Sequence, residues 1–141
     1  MSEGIRCWHF VRADRRLRWN DADVIQAGTV VTWDGPVVLC ERGLHGSIRA
    51  IDALLYAPGA IIERVAISGD VVQDDDKLVG RRRETLWLAD ASPALHEFAC
   101  VCAEQALERE RELGRTPDPR SVAAVDAKRR WLRGELGDQE L

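Results

Sequence analysis

The sequence has no long uninterrupted apolar run. Arg6, Arg12, Arg15, Arg16 and Arg18 interleave with the apolar residues near its start, which excludes the apolar core of an export signal there. No later stretch approaches the roughly 20 apolar residues of a membrane span. The expectation is a cytoplasmic protein with no membrane partner. A strong charge bias is also missing: 20 basic against 24 acidic side chains leave a net charge of −4, too mild to favour nucleic acid over the whole surface. Any contact with nucleic-acid phosphate has to be local.

Catalytic signatures are equally scarce. The chain holds no P-loop, dinucleotide glycine fingerprint, nucleophile elbow or kinase motif. Glu41, Glu63, Glu84 and Glu97 are plausible acids taken singly, yet no spacing pairs an acid with a base. Internal repeats and low-complexity tracts are absent as well. Four cysteines, Cys7, Cys40, Cys100 and Cys102, read as free buried thiols in a reducing compartment rather than as two disulfides. On one helix Cys100 and Cys102 would point about 200° apart, so they neither pair nor grip one metal.

What is present is an ordinary globular composition, 45% hydrophobic and 31% charged over 141 residues, which argues against disorder and for one core. The pattern predicts an α+β fold in a single domain, residues 1–141. Its strand-rich core spans residues 1–90 and a helical C-terminal extension spans 91–141. The core is a small antiparallel or mixed sheet over about residues 5–88, with strands at 5–11, 29–33, 37–40, 61–73 and 78–88. The second and third of these form a short antiparallel pair across Asp34-Gly35-Pro36. Even spacing marks Ile61, Val65 and Ile67 as one face, Ser68-Gly69-Asp70 as a bend and Asp74-Asp75-Asp76 as a turn. Residues 12–23 read as a charged loop from which Leu17 and Trp19 dip toward the core.

A helix is predicted at about 48–56, capped by Ser47, with Ile48, Ile51, Leu54 and Leu55 against the sheet. Two more follow at about 93–113 and 119–133. Ser92-Pro93 and Asp118-Pro119 supply their starts, and Gly114 lies just past the end of the first. Leu95, Phe98, Ala99, Cys102 and Ala106 form the apolar stripe of the first, and Val122, Val125 and Leu132 that of the second.

Two segments carry a resemblance. Leu39-Cys40-Glu41-Arg42-Gly43-Leu44-His45, and Ser68-Gly69-Asp70 followed by residues 76–83 (DKLVGRRR), resemble a family of small uncharacterised domains common in bacteriophages and mobile elements. The likeness spans roughly residues 8–90 and leaves the helical tail outside. It implies a phage-like setting and no transferable catalytic residue. A weaker likeness is to ADP-ribosyltransferase folds, through His9 on a first strand, Gly43-Leu44-His45 with Ser47 at a strand-to-helix junction, and Glu84 on a late strand. That likeness implies NAD as cofactor, with His9 and His45 positioning it, Glu84 polarising the ribose and Tyr56 as the stacking aromatic.

Each candidate residue also has a plain structural reading. His45 either receives an anion at a helix start or ties its loop by hydrogen bonding, and the second is favoured. His9 alternates with Trp8 and Phe10 and reads as a satisfied, half-buried histidine. Cys7, His9, Cys40 and His45 offer zinc-type donors, but Cys-x-His and Cys-x4-His match no zinc-finger spacing, and no metal is expected.

Arg81, Arg82 and Arg83 are the densest cationic run before the tail. With Trp87, and with Asp74, Asp75 and Asp76 nearby, they form the expected partner-binding surface. The alternative is that they neutralise the acidic run and protect an edge strand. Strand alternation puts Arg81 and Arg83 with Trp87, and Arg82 and Glu84 with Leu86 and Leu88.

The function expected is a binding module of phage or mobile-element type, an anti-CRISPR-like inhibitor of a host protein or nucleoprotein complex, without a cofactor. The alternatives are an NAD-dependent ADP-ribosyltransferase-like enzyme and a structural phage component that forms a homo-oligomer.

Overall fold

The computed structural model describes residues 3–17 and 24–141, so Trp19 lies outside the described residues. The chain is α+β and divides into two compact units, Met1–Ala91 and Ser92–Leu141, at the point where the composition changes character.

In the first unit β1 (Ile5–Val11), β4 (Ile61–Ser68), β7 (Arg82–Asp90) and β2 (Val30–Thr32) form an antiparallel sheet in the order β1-β4-β7-β2. A smaller antiparallel sheet has the order β3-β6-β5, from β3 (Leu44–Gly46), β6 (Leu78–Gly80) and β5 (Val72–Gln73). The short helix α1 (Ala50–Leu54) lies between β3 and β4 in the chain.

β4 shows how sequence becomes layers. Its side chains alternate strictly, with Ile61, Glu63, Val65 and Ile67 buried and their neighbours half-buried, as a period of two requires. The buried row makes the inner face of the larger sheet. There Cys7, Val65 and Ile67 pack with Leu78 of the smaller sheet as the central cluster. The two sheets approach closely because Gly46 and Gly80 stand at the contact. A Cβ on Gly46 would sit 2.9 Å from Ile67 Cδ1, and one on Gly80 2.6 Å from Ile67 Cγ2.

Several local expectations are corrected. Residues 37–40 do not form a strand: they enter a tight turn in which Glu41 and Arg42 donate to the Val38 carbonyl, and Cys40 has φ +69°. β2 therefore pairs with β7, not with this segment. Leu44-His45-Gly46 is itself a strand, not a loop. Ser47 is no helix cap, because its backbone is bridged to Trp8; α1 starts after Arg49 without a side-chain cap. Ile48, Ile51 and Leu55 are exposed, and Ala53 is the buried residue of α1. The single strand expected at 78–88 is two, β6 and β7, on different sheets, with Arg81 between them. Leu17 is buried as expected.

A bulge also changes the faces of β7. Thr85 pairs with Val65 and Trp87 with Arg64, so Leu86 is the extra residue; an inserted residue reverses the alternation beyond it. Trp87 therefore shares the outer face with Arg82, Glu84 and Arg64, while Leu88 follows Arg83 on the inner one.

The second unit is a helical hairpin of α2 (Ser92–Glu112) and α3 (Pro119–Leu132), followed by a short 3-10 turn (Asp138–Glu140). Asp118 caps α3 by accepting from the Arg120 amide at 2.8 Å. The expected apolar stripe of α2 is not its inner face. Phe98, Ala99, Cys102 and Ala106 are exposed, and Cys100 is the buried residue. Polar and aromatic pairs with α3 set the register instead: Arg129 holds Glu97 and Glu104, and the His96 and Trp131 rings meet edge-on at 5.0 Å. Val122, expected in the core, is exposed.

Candidate functional site

A buried polar network on the inner face of the larger sheet organises the site. Glu63 is fully buried, accepts from the Thr85 hydroxyl at 2.6 Å, and lies 2.6 Å from His9 Nδ1 and 4.0 Å from Arg83 Nε. The strand register makes this possible, because β1 and β7 flank β4 and place His9 and Thr85 beside Glu63.

Burial pushes the Glu63 carboxyl toward the neutral form. The His9 hydrogen bond, the Arg83 charge and the Thr85 hydrogen bond together outweigh it and hold the pKa below the usual range. Glu63 is therefore a carboxylate, so His9 Nδ1 carries the proton of that bond. Burial and then the Arg83 charge lower the His9 pKa to about 4, against the pull of Glu63, so the ring is neutral at pH 7. Its Nε2 has no hydrogen-bond partner among the described residues.

Arg83 is 4% exposed and donates to the His45 carbonyl at 2.8 Å. Its pKa is lowered by burial, opposed by Glu63; it stays charged, as arginine does in proteins. His45 Nε2 accepts from the Cys40 amide at 3.0 Å. Burial lowers its pKa, opposed by a bond to the Gly43 backbone and assisted by the Arg83 and Lys77 charges. The ring thus ties its turn, the plainer of the two readings.

His9 and His45 both line a cleft of about 570 Å³ together with Arg12, Arg16, Cys40, Glu41, Tyr56, Lys77 and Arg83. Phe10, Val11, Leu17, Leu55 and Pro58 supply its apolar wall. At the rim the Tyr56 hydroxyl bonds Asp76, and Lys77 Nζ donates to the Tyr56 oxygen at 3.1 Å with its ammonium 5.0 Å from the ring centre. The Lys77 pKa is raised by its bonds to Tyr56 and Cys40 and by the Asp76 charge. Four cationic side chains, Arg12, Arg16, Lys77 and Arg83, line this cleft with Glu41. Carboxylates already partner Arg12 through Asp14, Lys77 through Asp76 and Arg83 through Glu63.

The residues expected at a partner surface are not brought together. Arg81 binds Asp70 at 2.5 Å and the Gly35 carbonyl at 2.6 Å, Arg82 binds Glu84 at 3.0 Å, and Arg83 is interior. None neutralises the acidic turn, where Asp76 meets Tyr56 and Lys77 and Asp74 bonds the Asp75 amide. Glu84 projects from the face opposite His9. The trio His9, His45 and Glu84 is therefore divided, and Glu63 is the carboxylate beside His9.

Among the described residues no three His, Cys, Asp or Glu side chains are grouped to hold a metal. Cys7 is buried, its thiol raised to about 11 by burial. The sequence offers Glu63 only as one of several single acids, and one signal marks it as buried: a charged residue in the alternating row of Ile61, Val65 and Ile67. No family model, curated protein or solved structure matches this chain.

Proposed function

We propose that the front unit is a binding module whose ligand site is the cleft beside His9 and His45, and that its ligand is a small phosphorylated molecule of nucleotide size. The observation that carries this is a neutral His9, oriented by the buried Glu63 carboxylate, in a cleft whose lining includes Arg12, Arg16, Lys77 and Arg83. A volume of about 570 Å³ lies within the range of small-molecule sites. The cationic lining supplies charge-assisted bonds to phosphate, and Tyr56 with the apolar wall supplies a surface for a base.

NAD is the dinucleotide to test first, since the ADP-ribosyltransferase resemblance points to it. Binding is favoured over transfer: Glu84 is on the wrong face to polarise a ribose at His9, and Glu63 is held by Thr85, His9 and Arg83. The likeness to phage-associated domains supplies the setting, in which such a module acts as an inhibitor of a host protein or nucleoprotein complex.

The test is calorimetric titration of the full chain with NAD, ADP-ribose, AMP and inorganic phosphate. Saturable binding of a nucleotide is expected, weakened about tenfold by Lys77→Met, the worth of one charge-assisted hydrogen bond. No heat at millimolar concentrations of all four, or affinity unchanged by Lys77→Met, overturns the proposal.

A further inference from the structure

We infer that the outer face of the larger sheet binds single-stranded nucleic acid, stacking bases on Trp8 and Trp87 and pairing phosphates with Arg6 and Arg64. This surface adjoins the cleft proposed above at Trp8, which lines both, while Arg6, Arg64 and Trp87 lie outside the cleft.

The register builds the platform. Trp8, Arg64 and Trp87 form one row across three strands, and Arg6, Ala66 and Glu84 form the next. Arg82 belongs to the row beyond, two residues along β7. The Trp8 and Trp87 rings meet edge-on with centroids 5.6 Å apart, and the Arg64 guanidinium lies 4.5 Å above the Trp8 ring. Trp87 is 46% exposed and Arg6 is exposed. Neighbouring rows on one face are separated by about 7 Å, two strand residues, close to the phosphate repeat of an extended strand.

The charges indicate the occupant. Arg6 and Arg64 make no ion pair among the described residues; Nη1 of Arg64 is buried without an acceptor among them, so a phosphate contact falls to the other nitrogens of that guanidinium. Arg82 is matched by Glu84. This face of a chain with net charge −4 thus carries two uncompensated guanidinium groups beside two indoles. Large aromatics left half-open, in contact with unpaired arginines, are the chemistry of single-strand platforms, where any base can stack and the backbone supplies the countercharge. Duplex is not favoured, because its bases offer no open face.

The test is fluorescence anisotropy of the full chain with a labelled oligothymidylate of about 15 nucleotides, a length within single-strand site sizes. Saturable binding is expected, with quenching of tryptophan emission and affinity that falls as salt rises. Trp87→Ala and Arg64→Gln should each weaken it at least about tenfold, the effect of losing one stacked base or one phosphate contact. Circular dichroism melts keep these variants comparable with the parent, and Trp87→Phe should restore most of the affinity. Lys77→Met, at the cleft, should leave oligonucleotide binding unchanged, so failure here and failure of the cleft reading are separable. The inference is overturned by absence of binding at low salt, by equal affinity in Trp87→Ala and Arg64→Gln, by a duplex of the same length binding as tightly, or by an acidic polypeptide displacing the strand at equal charge.

Discussion

Removing the Glu63 carboxylate is the perturbation that most directly tests the central network. In Glu63→Ala the Arg83 guanidinium, 4% exposed, keeps its His45 carbonyl bond but loses its counter-charge. The Thr85 hydroxyl and the His9 Nδ1–H lose acceptors at 2.6 Å. Breaking a buried pair by deleting one partner costs about 3–5 kcal/mol, and orphaning a buried neutral donor costs about 1–3 kcal/mol more.

Part of this is recovered by relaxation and water entry, so we expect about 4 kcal/mol, a large fraction of the roughly 5–15 kcal/mol that stabilises a domain. The assay is urea denaturation followed by circular dichroism at pH 7, read as a shift of midpoint at constant slope. Adding Arg83→Met should restore at least half of the loss, because the orphaned charge is then gone. A cost below about 1 kcal/mol for Glu63→Ala, or strict additivity in the double variant, would refute a coupled buried carboxylate.

Three further outcomes are expected. Lowering the pH from 7 to 4 should destabilise the fold: the folded His9 pKa of about 4 lies below its ordinary 6.5, so the unfolded chain binds the extra proton first. The stability this group supplies is complete above 6.5 and lost as pH falls toward 4, up to about 3 kcal/mol. The His45 and Glu63 pKa values, also lowered, act in the same direction, so a urea midpoint flat from pH 7 to 4 would contradict the network. Native alkylation followed by mass spectrometry should modify the exposed Cys40 and Cys102 and spare the buried Cys7 and Cys100; rapid labelling of Cys7 would count against its burial. Gly43→Ala should cost about 2–3 kcal/mol, since Gly43 has φ +117° and a Cβ there would meet Val79 Cγ2 at 2.5 Å. An unchanged melting temperature would show that this turn is not as placed.

Local pattern was enough for the elements that local pattern governs. The strand at Ile5–Val11, the buried row of β4, the two C-terminal helices and the Asp118 cap of the second all follow from period, propensity and capping residues that act within a few positions. The separation of Cys100 from Cys102 follows from helical rotation alone, whereas the expectation that all four thiols are buried holds for Cys7 and Cys100 and fails for the exposed Cys40 and Cys102.

What lay beyond that reach depended on partners distant in the chain. The apolar stripe on α2 misled because α3 offers Arg129 and Trp131, and the helix turned toward them. Alternation already divided Arg81, Arg82 and Arg83 between two faces, but it did not give their partners. A strand break leaves Arg81 with Asp70, Arg82 meets Glu84 and Arg83 meets Glu63, while the bulge at Leu86 moves Trp87 to the face of Arg82. A one-residue insertion reverses a strand's faces, and no propensity announces it. Charge pairing across strands likewise has no signature in either segment taken singly. The chain's own pattern therefore settled which elements form, while the choice of partner strand, the side of each β7 residue and the role of Glu63 were decided only when residues 54 positions apart, His9 and Glu63, were brought within 2.6 Å.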